Sequence, residues 1–296
     1  MFLHVTSSMV RAGYTNSVET GRASRTAFRV ALRRAAHQVI DPPCVLVDPV
    51  AVPLLGAHFA LDREREMHPV SRAFRAFMAA RSRHAEEKLA EAVAAGVGQY
   101  VVLGAGLDTF AYRNPFAGLR VFEVDFPATQ EWKRGLLAEA AITLPKELTF
   151  VPLDFEHMTL GEGLAAAGFD VRARAFFGWL GVVPYLTREA FRATIQTIAK
   201  LPAGTGVCFD YALAPETLSP TRRAAFDALA ARVAAAGEPF QLFFTPVDLE
   251  AELRAAGFHI IEHMNSDQLN ELYFQNRTDR LKLPSEGLGM LATAWV

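Results

Sequence analysis

The stretch VVLGAGLDTF, residues 101–110, decides how the rest of the chain is interpreted. Its apolar start predicts a buried strand. Gly104 and Gly106 then supply the first two glycines of a G-x-G-x-x-G pattern, which lets the backbone approach a nucleotide closely. The third glycine would fall at position 109, where the chain has Thr109. The loop is therefore expected to approach a ligand without a full cradle for phosphates.

From residue 100 onward, short β-rich runs alternate with helical stretches such as ATQEWKRGLLAEAA and REAFRATIQTIAK. This alternation predicts a parallel sheet with helices on both faces. Near the end, FHIIEHM (258–264) and LGMLATAWV (288–296) have no clear helix between them, which predicts an antiparallel pair at a sheet edge. The expected fold class is α/β, a Rossmann-like, doubly wound, seven-stranded sheet that is mostly parallel with antiparallel C-terminal strands.

The first 95 residues are predicted to be mainly helical. Residues 24–40 place apolar side chains at helical spacing until the pair Pro42-Pro43, where proline cannot continue a helix. Residues 70–95 repeat the pattern and stop at a glycine. We expect residues 1–95 to form an N-terminal helical cap in the same domain as a core formed by residues 96–296.

Composition excludes several classes of protein. Apolar residues make up 51% and charged residues 21% of the 296 residues, which predicts a folded globular protein. A formal net charge of −2 gives no electrostatic reason to expect nucleic acid as a partner. The longest charge-free apolar run, residues 175–186, is far too short to span a membrane. Two cysteines, Cys44 and Cys208, suit a reducing compartment, so we expect a cytoplasmic protein without membrane contact.

Acidic residues follow the next two predicted strands, at the edge where open α/β sheets bind ligands. Asp125 ends the run FEVD at the spacing from Gly104 where a carboxylate accepts hydrogen bonds from a ribose diol. In the run PLDF, Asp154 can accept a hydrogen bond from an adenine amino group, and Phe155 offers a face for stacking. These residues specify an adenosine group, and the incomplete phosphate cradle disfavours a dinucleotide. S-adenosylmethionine is the ligand that fits both observations.

Longer motifs make a family resemblance specific. The run RSRHAEEKLAEAVAAGVGQYVVLGAGLDTFAYR is followed by FEVDFP, PLDF and FFGWLGVVPYLTREA. Together they resemble the class I S-adenosylmethionine-dependent methyltransferases related to the leucine carboxyl methyltransferases, including a bacterial branch with polyketide carboxyl O-methyltransferases. The resemblance implies that the cofactor lies against the Gly104-Ala105-Gly106 loop, with ribose at Asp125 and adenine at Asp154 and Phe155.

The resemblance also implies which residues contact the methionine end of the cofactor and which lie on the acceptor side. In this family an arginine on the helix before the first strand pairs with the methionine carboxylate. This matches Arg81, with Arg83 as the near alternative, and a planar guanidinium suits a carboxylate. Many relatives carry an acid just before the glycine after the fourth strand, whereas this chain has Trp179-Leu180-Gly181. This puts an acidic contact to the cofactor's amino group in doubt. Tyr185 lies where the acceptor should approach, although a tyrosine after an apolar strand is equally expected in the core.

No metal site is predicted. His259 and His263 are four residues apart, but they lie in a predicted strand, where four residues span about 13 Å and cannot share one ion. Three further histidines, His37, His84 and His157, are each capable of acting as a base, and nothing in the sequence selects one.

The residues together predict a methyltransferase that moves the methyl group of S-adenosylmethionine to an oxygen by in-line displacement. Such a transfer depends on alignment and a dry pocket, which agrees with the lack of a Ser-His-Asp or Cys-His pattern. A carboxylate acceptor, on a small molecule or a peptide, is already ionised at neutral pH and needs no general base, whereas a phenol usually does. Two alternatives stay open: an oxidoreductase that uses a nicotinamide cofactor, and a protein that binds S-adenosylmethionine without catalysis.

Overall fold

The structure is a computed structural model that describes residues 25–154, 157–235, 237 and 239–296. The helices in this part of the chain are α1 (Arg25–Ile40), α2 (Ala51–Leu55), α3 (Arg63–Met67), α4 (Pro69–Ala94), α5 (Pro127–Glu139), α6 (Leu160–Ala166), α7 (Arg188–Ala199), α8 (Pro220–Ala235), α9 (Pro246–Ala256) and α10 (Ser266–Tyr273). The strands are β1 (Gln99–Leu103), β2 (Arg120–Asp125), β3 (Leu148–Pro152), β4 (Ala175–Trp179), β5 (Gly206–Leu213), β6 (Phe243–Phe244), β7 (Ile260–Met264) and β8 (Gly289–Trp295). Within the described ranges, no helix is both long and apolar enough to cross a lipid bilayer.

Helices α1 to α4 precede the sheet, and they confirm the helices predicted at residues 24–40 and 70–95. α1 ends just before the Pro-Pro pair that interrupts its pattern. α4 begins after His68 with Pro69 in its first turn, where the missing N–H of proline would have no helical partner in any case. The part of the predicted cap before residue 25 lies outside the described residues.

The strands form one sheet in the order β3-β2-β1-β4-β5-β8-β7, with β6 paired to β5. β1 to β5 pair in parallel, and β8 is antiparallel to both of its neighbours. This confirms the predicted fold class and the antiparallel C-terminal pair, while the two-residue β6 gives the described part of the chain an eighth strand. Helix α10 lies between β7 and β8, where the sequence suggested none. At 8 residues it is shorter than the window of about 11–18 residues in which helical periodicity is recognised.

Residues of β1 alternate between two buried faces of the sheet. Tyr100 and Val102 pack with α4, for example with Leu89. Val101 and Leu103 pack in the opposite layer, which contains α6, α7 and α9. β1 pairs with β2 on one side and with β4 on the other, so the direction of strand order reverses beside β1. A crevice at the carboxyl ends of β1 and β4 is the expected ligand position in such a sheet.

Candidate functional site

Two glycines with left-handed backbone conformations shape the loop after β1. Gly104 has φ of +64° and Gly106 has φ of +47°, a region that residues with a side chain rarely adopt. A Cβ atom on Gly104 would lie 2.4 Å from Cγ2 of Val182, well inside van der Waals contact. A Cβ atom on Gly106 would lie 3.0 Å from the methyl carbon of Ala27 in α1. The loop is therefore enclosed by the segment after β4 and by the start of α1.

A cavity of about 220 Å³ lies at the carboxyl ends of β1, β2 and β4. The predicted site residues in its wall are the Gly104-Ala105-Gly106 loop, Asp125, Arg81 and Tyr185. The other described lining residues come from α1, α4, the strand ends, α5 and the segments around Val182 and before β6. They are Thr26, Ala27, Val30, Ala31, Arg34, Ser82, Tyr100, Val102, Leu103, Leu107, Asp108, Phe126, Thr129, Gly178, Leu180, Gly181, Val182, Leu186, Gly237, Pro239 and Gln241.

Asp125 ends β2, and its carboxylate binds the loop after β1. Oδ2 accepts a hydrogen bond from the backbone N–H of Gly106 at 2.5 Å, and Oδ1 accepts one from the N–H of Phe126 at 2.7 Å. Burial raises the pKa of Asp125, although these hydrogen bonds act in the opposite direction. Each carboxylate oxygen has two lone pairs, so the group can hold the loop and still accept hydrogen bonds from a ligand diol.

Thr109, at the position of the absent third glycine, is buried and binds the N-terminal helix α1. Its hydroxyl donates to Oδ2 of Asp48 at 2.6 Å and accepts from Nη2 of Arg34 at 2.8 Å. Nη1 of Arg34 pairs with Oδ2 of Asp108 at 2.7 Å, and the other oxygen of Asp108 accepts from the N–H of Phe110. The residue after the glycine loop therefore holds α1 through a buried ion-pair network. This network explains why a threonine stands at position 109.

Arg81 lies on the face of α4 that lines the cavity, and it is only 6% exposed. Its Nη1 pairs with Oδ2 of Asp210 on β5 at 3.0 Å, and Oδ1 of Asp210 accepts from the N–H of Gly181 at 2.5 Å. The Nε atom of Arg81 has no hydrogen-bond partner among the described residues. Arg83, the near alternative, pairs with Glu87 on the exposed side of the helix. Arg81 is therefore the better placed of the two arginines to bind an anion in the cavity.

Tyr185 ends a short 3-10 turn after β4 and lines the cavity. Its ring packs on Phe240, with centroids 5.2 Å apart, and its carbonyl oxygen accepts from Nε2 of Gln241 at 2.9 Å. Phe240 also stacks on Phe226, the buried side chain of α8. The segment before β6 thus packs between α8 and the turn that carries Tyr185, and this packing holds the turn and the segment beside the cavity.

The predicted adenine contacts follow β3. Asp154 is not among the residues that line the cavity, and its Oδ2 lies 2.9 Å from Nδ1 of the exposed His157. Phe155 lies outside the described residues. The structure therefore brings Asp125 and the glycine loop together, whereas the roles of Asp154 and Phe155 stay predictions.

The histidines weighed as bases lie away from the cavity wall. Nδ1 of His37 contacts the carboxylate of Asp41, and Nδ1 of His84 contacts the hydroxyl of Tyr273. His263 is in β7, as predicted, and its Nδ1 contacts the hydroxyl of Tyr211. Within the described ranges, no group of three or more His, Cys, Asp or Glu side chains could hold a metal ion.

Four residues that shape the site were not singled out by the sequence: Arg34, Ser82, Tyr100 and Asp210. Each lies inside an apolar helix or strand pattern, where spacing alone marks it as core. For Arg34 and Asp210, a charge inside such a pattern was an available indication, because a buried charge needs a partner. The two hydroxyl side chains carry no comparable indication.

A family model described as leucine carboxyl methyltransferase matches residues 27–199, which is more than half of the chain. The chain belongs to the leucine carboxyl methyltransferase family. The matched range contains α4, the glycine loop, β2 with Asp125, and the turn with Tyr185. Membership makes the protein a methyltransferase and sets aside the alternatives of a nicotinamide-dependent oxidoreductase and of a non-catalytic binding protein.

Relatives of this leucine carboxyl methyltransferase family member cover most of its length. YktD of Bacillus subtilis (strain 168), named among the S-adenosyl-L-methionine-dependent methyltransferases, is 34% identical over 288 residues, covering 88% of this chain and 94% of YktD. A protein of Mycobacterium avium (strain 104) with the same class name is 33% identical over 222 residues, covering 69% of this chain and 70% of its own.

Solved structures show the same fold. A DUF574 family protein from Streptomyces avermitilis MA-4680 has a TM-score of 0.56 at 17% identity, covering 94% of this chain and 98% of that one. A protein from Thermobifida fusca YX, described as a methyltransferase, has a TM-score of 0.55 at 18% identity, covering 87% of this chain and 98% of that one. At these identities the likeness concerns the fold alone.

Proposed function

We propose that this methyltransferase transfers the methyl group of S-adenosylmethionine to a carboxylate oxygen of a small molecule or a peptide. S-adenosylmethionine is its cofactor, as the names of its relatives state for them. When bound, the cofactor supplies an electrophilic methyl group on a sulfonium.

The cavity fits this cofactor at its nucleoside side. Gly104 and Gly106 line the cavity with their backbone, and Val182 and Ala27 pack where their side chains would be. The carboxylate of Asp125 can accept the hydroxyl hydrogens of a ribose diol while it keeps its two backbone hydrogen bonds. Asp154 and Phe155 complete the proposed adenine contacts on the β3 side.

The cavity also fits a zwitterionic amino-acid end. The guanidinium of Arg81 is buried, lines the wall, and has an Nε atom without a partner among the described residues. A carboxylate is the group that such a planar donor binds best. Asp210 orients Arg81 through Nη1 and holds the loop at Gly181 through its other oxygen.

A carboxylate acceptor is favoured because the described cavity wall offers no side chain suited to act as a general base. Among the described lining residues, the acids are Asp108 and Asp125, and none is His, Lys, Cys or Glu. Asp108 is partly buried, which would raise its pKa, but Arg34 and other cations lower the pKa to about 2, so it is a poor proton acceptor. Asp125 is engaged with the glycine loop. An acceptor that arrives already ionised requires no base from these side chains.

We propose residues 1–95 as the cap that closes over cofactor and acceptor. α1 contributes Thr26, Ala27, Val30, Ala31 and Arg34 to the cavity wall. The Arg34 network attaches this helix to the loop after β1, so the cap and the cofactor loop form one unit. Tyr185 and the segment before β6 form the proposed acceptor side. Because Cys44 and Cys208 are free thiols, we place the enzyme in the reducing cytoplasm.

The test is incubation of the enzyme and methyl-labelled S-adenosylmethionine with the small-molecule and peptide fractions of a cell extract. Mild alkali hydrolyses methyl esters, so a carboxylate acceptor should yield a product that releases labelled methanol. At limiting cofactor, Asp125→Ala should yield much less labelled product, whereas Asp227→Ala, on the exposed side of α8, should yield as much as the parent. A labelled product that survives alkali is an ether and would refute the carboxylate acceptor.

A further inference from the structure

Two hydroxyl side chains in the cavity wall form no hydrogen bond with another described residue. Ser82 on α4 is 6% exposed and Tyr100 on β1 is 4% exposed, and both line the cavity. Neither hydroxyl has a hydrogen-bond partner among the described residues, although the Tyr100 ring packs against Phe110 and Phe176. Neither hydroxyl oxygen is among the fully buried, unpaired polar atoms, so each is accessible from the cavity. Polar atoms of a ligand are the natural partners for hydroxyls in a cavity wall.

The glycine at position 178 of the neighbouring strand β4 leaves space for the Tyr100 hydroxyl. A Cβ atom on Gly178 of β4 would lie 2.3 Å from the hydroxyl oxygen of Tyr100. Gly178 is thus the residue that allows a long polar side chain from β1 to reach the wall beside β4. Gly178 also comes three residues before Gly181, whose Cβ position lies 3.0 Å from the guanidinium nitrogens of Arg81. Arg81, Ser82 and Tyr100 therefore form one polar wall between α4 and the ends of β1 and β4.

This wall lies on the side of the cavity away from the ribose-binding carboxylate. Asp125 is on β2, and the sheet order places β2 and β4 on opposite sides of β1. Strands are about 4.8 Å apart, so the two sides are separated by roughly 10 Å. A ligand that spans this distance would have its nucleoside at β2 and its other end at the polar wall. In S-adenosylmethionine that other end is an amino acid, with an ammonium and a carboxylate group.

We propose that Tyr100 and Ser82 are positioning residues for the amino-acid end of the cofactor, beside Arg81, in a wall where Leu180 offers no carboxylate. The inference rests on the proposed cofactor site. A neutral hydroxyl can accept a hydrogen bond from an ammonium group and also donate one to a carboxylate. Two hydroxyls next to a guanidinium thus match both charges of the zwitterion. An acid at position 180 is then not required to bind the ammonium group.

The experiment compares two ligands that differ in this end alone. S-adenosylhomocysteine carries the amino-acid group, and 5′-methylthioadenosine lacks it. Both are titrated calorimetrically into the full chain and into Tyr100→Phe, Ser82→Ala and the double variant. Each single variant should bind S-adenosylhomocysteine at least fivefold more weakly, because it loses a hydrogen bond to a charged group. Affinity for 5′-methylthioadenosine should change less than twofold.

Tyr112→Phe is the matched control. The Tyr112 hydroxyl has no partner among the described residues either, but it is fully buried and Tyr112 does not line the cavity, so neither affinity should change. Tyr100→Phe removes a group that is unpaired in the unliganded protein, so its melting temperature should equal or exceed that of the parent. This outcome separates a ligand contact from a structural role.

The outcomes distinguish this inference from the proposed function. The inference is supported if the parent enzyme binds S-adenosylhomocysteine and the variants lose affinity for this ligand but not for 5′-methylthioadenosine. Equal losses of affinity for both ligands, or an unchanged affinity of the double variant for S-adenosylhomocysteine, would refute the role of Tyr100 and Ser82. Neither result would refute the proposed cofactor site. A parent enzyme that binds neither ligand would overturn both proposals.

Discussion

Replacing Gly104 with alanine should destabilise the loop after β1 through two separable effects. A residue with a Cβ at φ of +64° costs about 1–2 kcal/mol in the left-handed region. The new Cβ would lie 2.4 Å from Cγ2 of Val182, where carbon atoms prefer about 3.5–4.0 Å, and such overpacking costs about 1–3 kcal/mol. We therefore expect Gly104→Ala to lower the free energy of unfolding by about 2–5 kcal/mol.

Gly118→Ala is the matched control for the conformational effect. Gly118 has φ of +78°, and its Cβ position has nothing within 4 Å, so this variant should lose only about 1–2 kcal/mol. Combining Gly104→Ala with Val182→Ala removes the contact that causes the clash. A double-mutant cycle between these two changes should therefore show a coupling energy of about 1–3 kcal/mol.

Urea unfolding followed by circular dichroism measures these free energies. If Gly104→Ala lowers the free energy of unfolding no more than Gly118→Ala does, the clash with Val182 is absent. If Val182→Ala shows no coupling to Gly104→Ala, Val182 does not enclose the loop. Either result would refute the reasoning that the segment after β4 closes over the glycines, and with it the enclosure of the cofactor site on that side.

Two further changes test the buried polar groups. Thr109→Val removes the hydroxyl that bonds to both Asp48 and Arg34. It should lower the free energy of unfolding by about 3–6 kcal/mol, because each of these two hydrogen bonds to a charged group contributes about 1.5–3 kcal/mol. An unchanged urea midpoint would contradict this network. Burial raises the pKa of Glu123 from 4.5 to about 7 despite its ion pair with Lys133. The folded state then binds this proton more tightly than the unfolded chain does, so stability falls as pH rises from 4.5 through 7. The melting temperature of Glu123→Gln relative to the parent should therefore increase across this range, and a difference that is constant with pH would disprove the shift.

The fold was predictable because its pattern is local. Alternating strand and helix runs fix a parallel sheet, and the two closing strands with a short connection fix the antiparallel edge. β6 and α10 were not predicted because a strand of 2 residues has no period and a helix of 8 residues is too short to display a clear one. Such elements form because tertiary contacts hold them, and a single sequence does not display those contacts.

Part of the candidate site could be predicted, because its glycines and its carboxylate directly follow strands. Asp125 and the glycine loop follow from motif spacing, and the structure places them in contact. Tyr100 was hidden because an aromatic residue in an apolar strand normally indicates core, and only the position of Gly178 on a neighbouring strand shows that its hydroxyl reaches the cavity wall. Thr109 was noticed as an irregular motif position, but its partner Arg34 is 75 residues away in the chain. Such long-range pairings require the fold.

Titration of S-adenosylhomocysteine into the parent enzyme and Asp125→Ala tests the central claim most directly, with NADH titrated into the parent as the comparison ligand. The parent should bind S-adenosylhomocysteine and not NADH. Asp125→Ala loses two hydrogen bonds from a charged acceptor to ribose, each worth about 1.5–3 kcal/mol, so its affinity should fall by at least tenfold. Circular dichroism establishes that the variant is folded. A folded Asp125→Ala enzyme that binds S-adenosylhomocysteine as tightly as the parent would show that the cofactor does not lie at the end of β2.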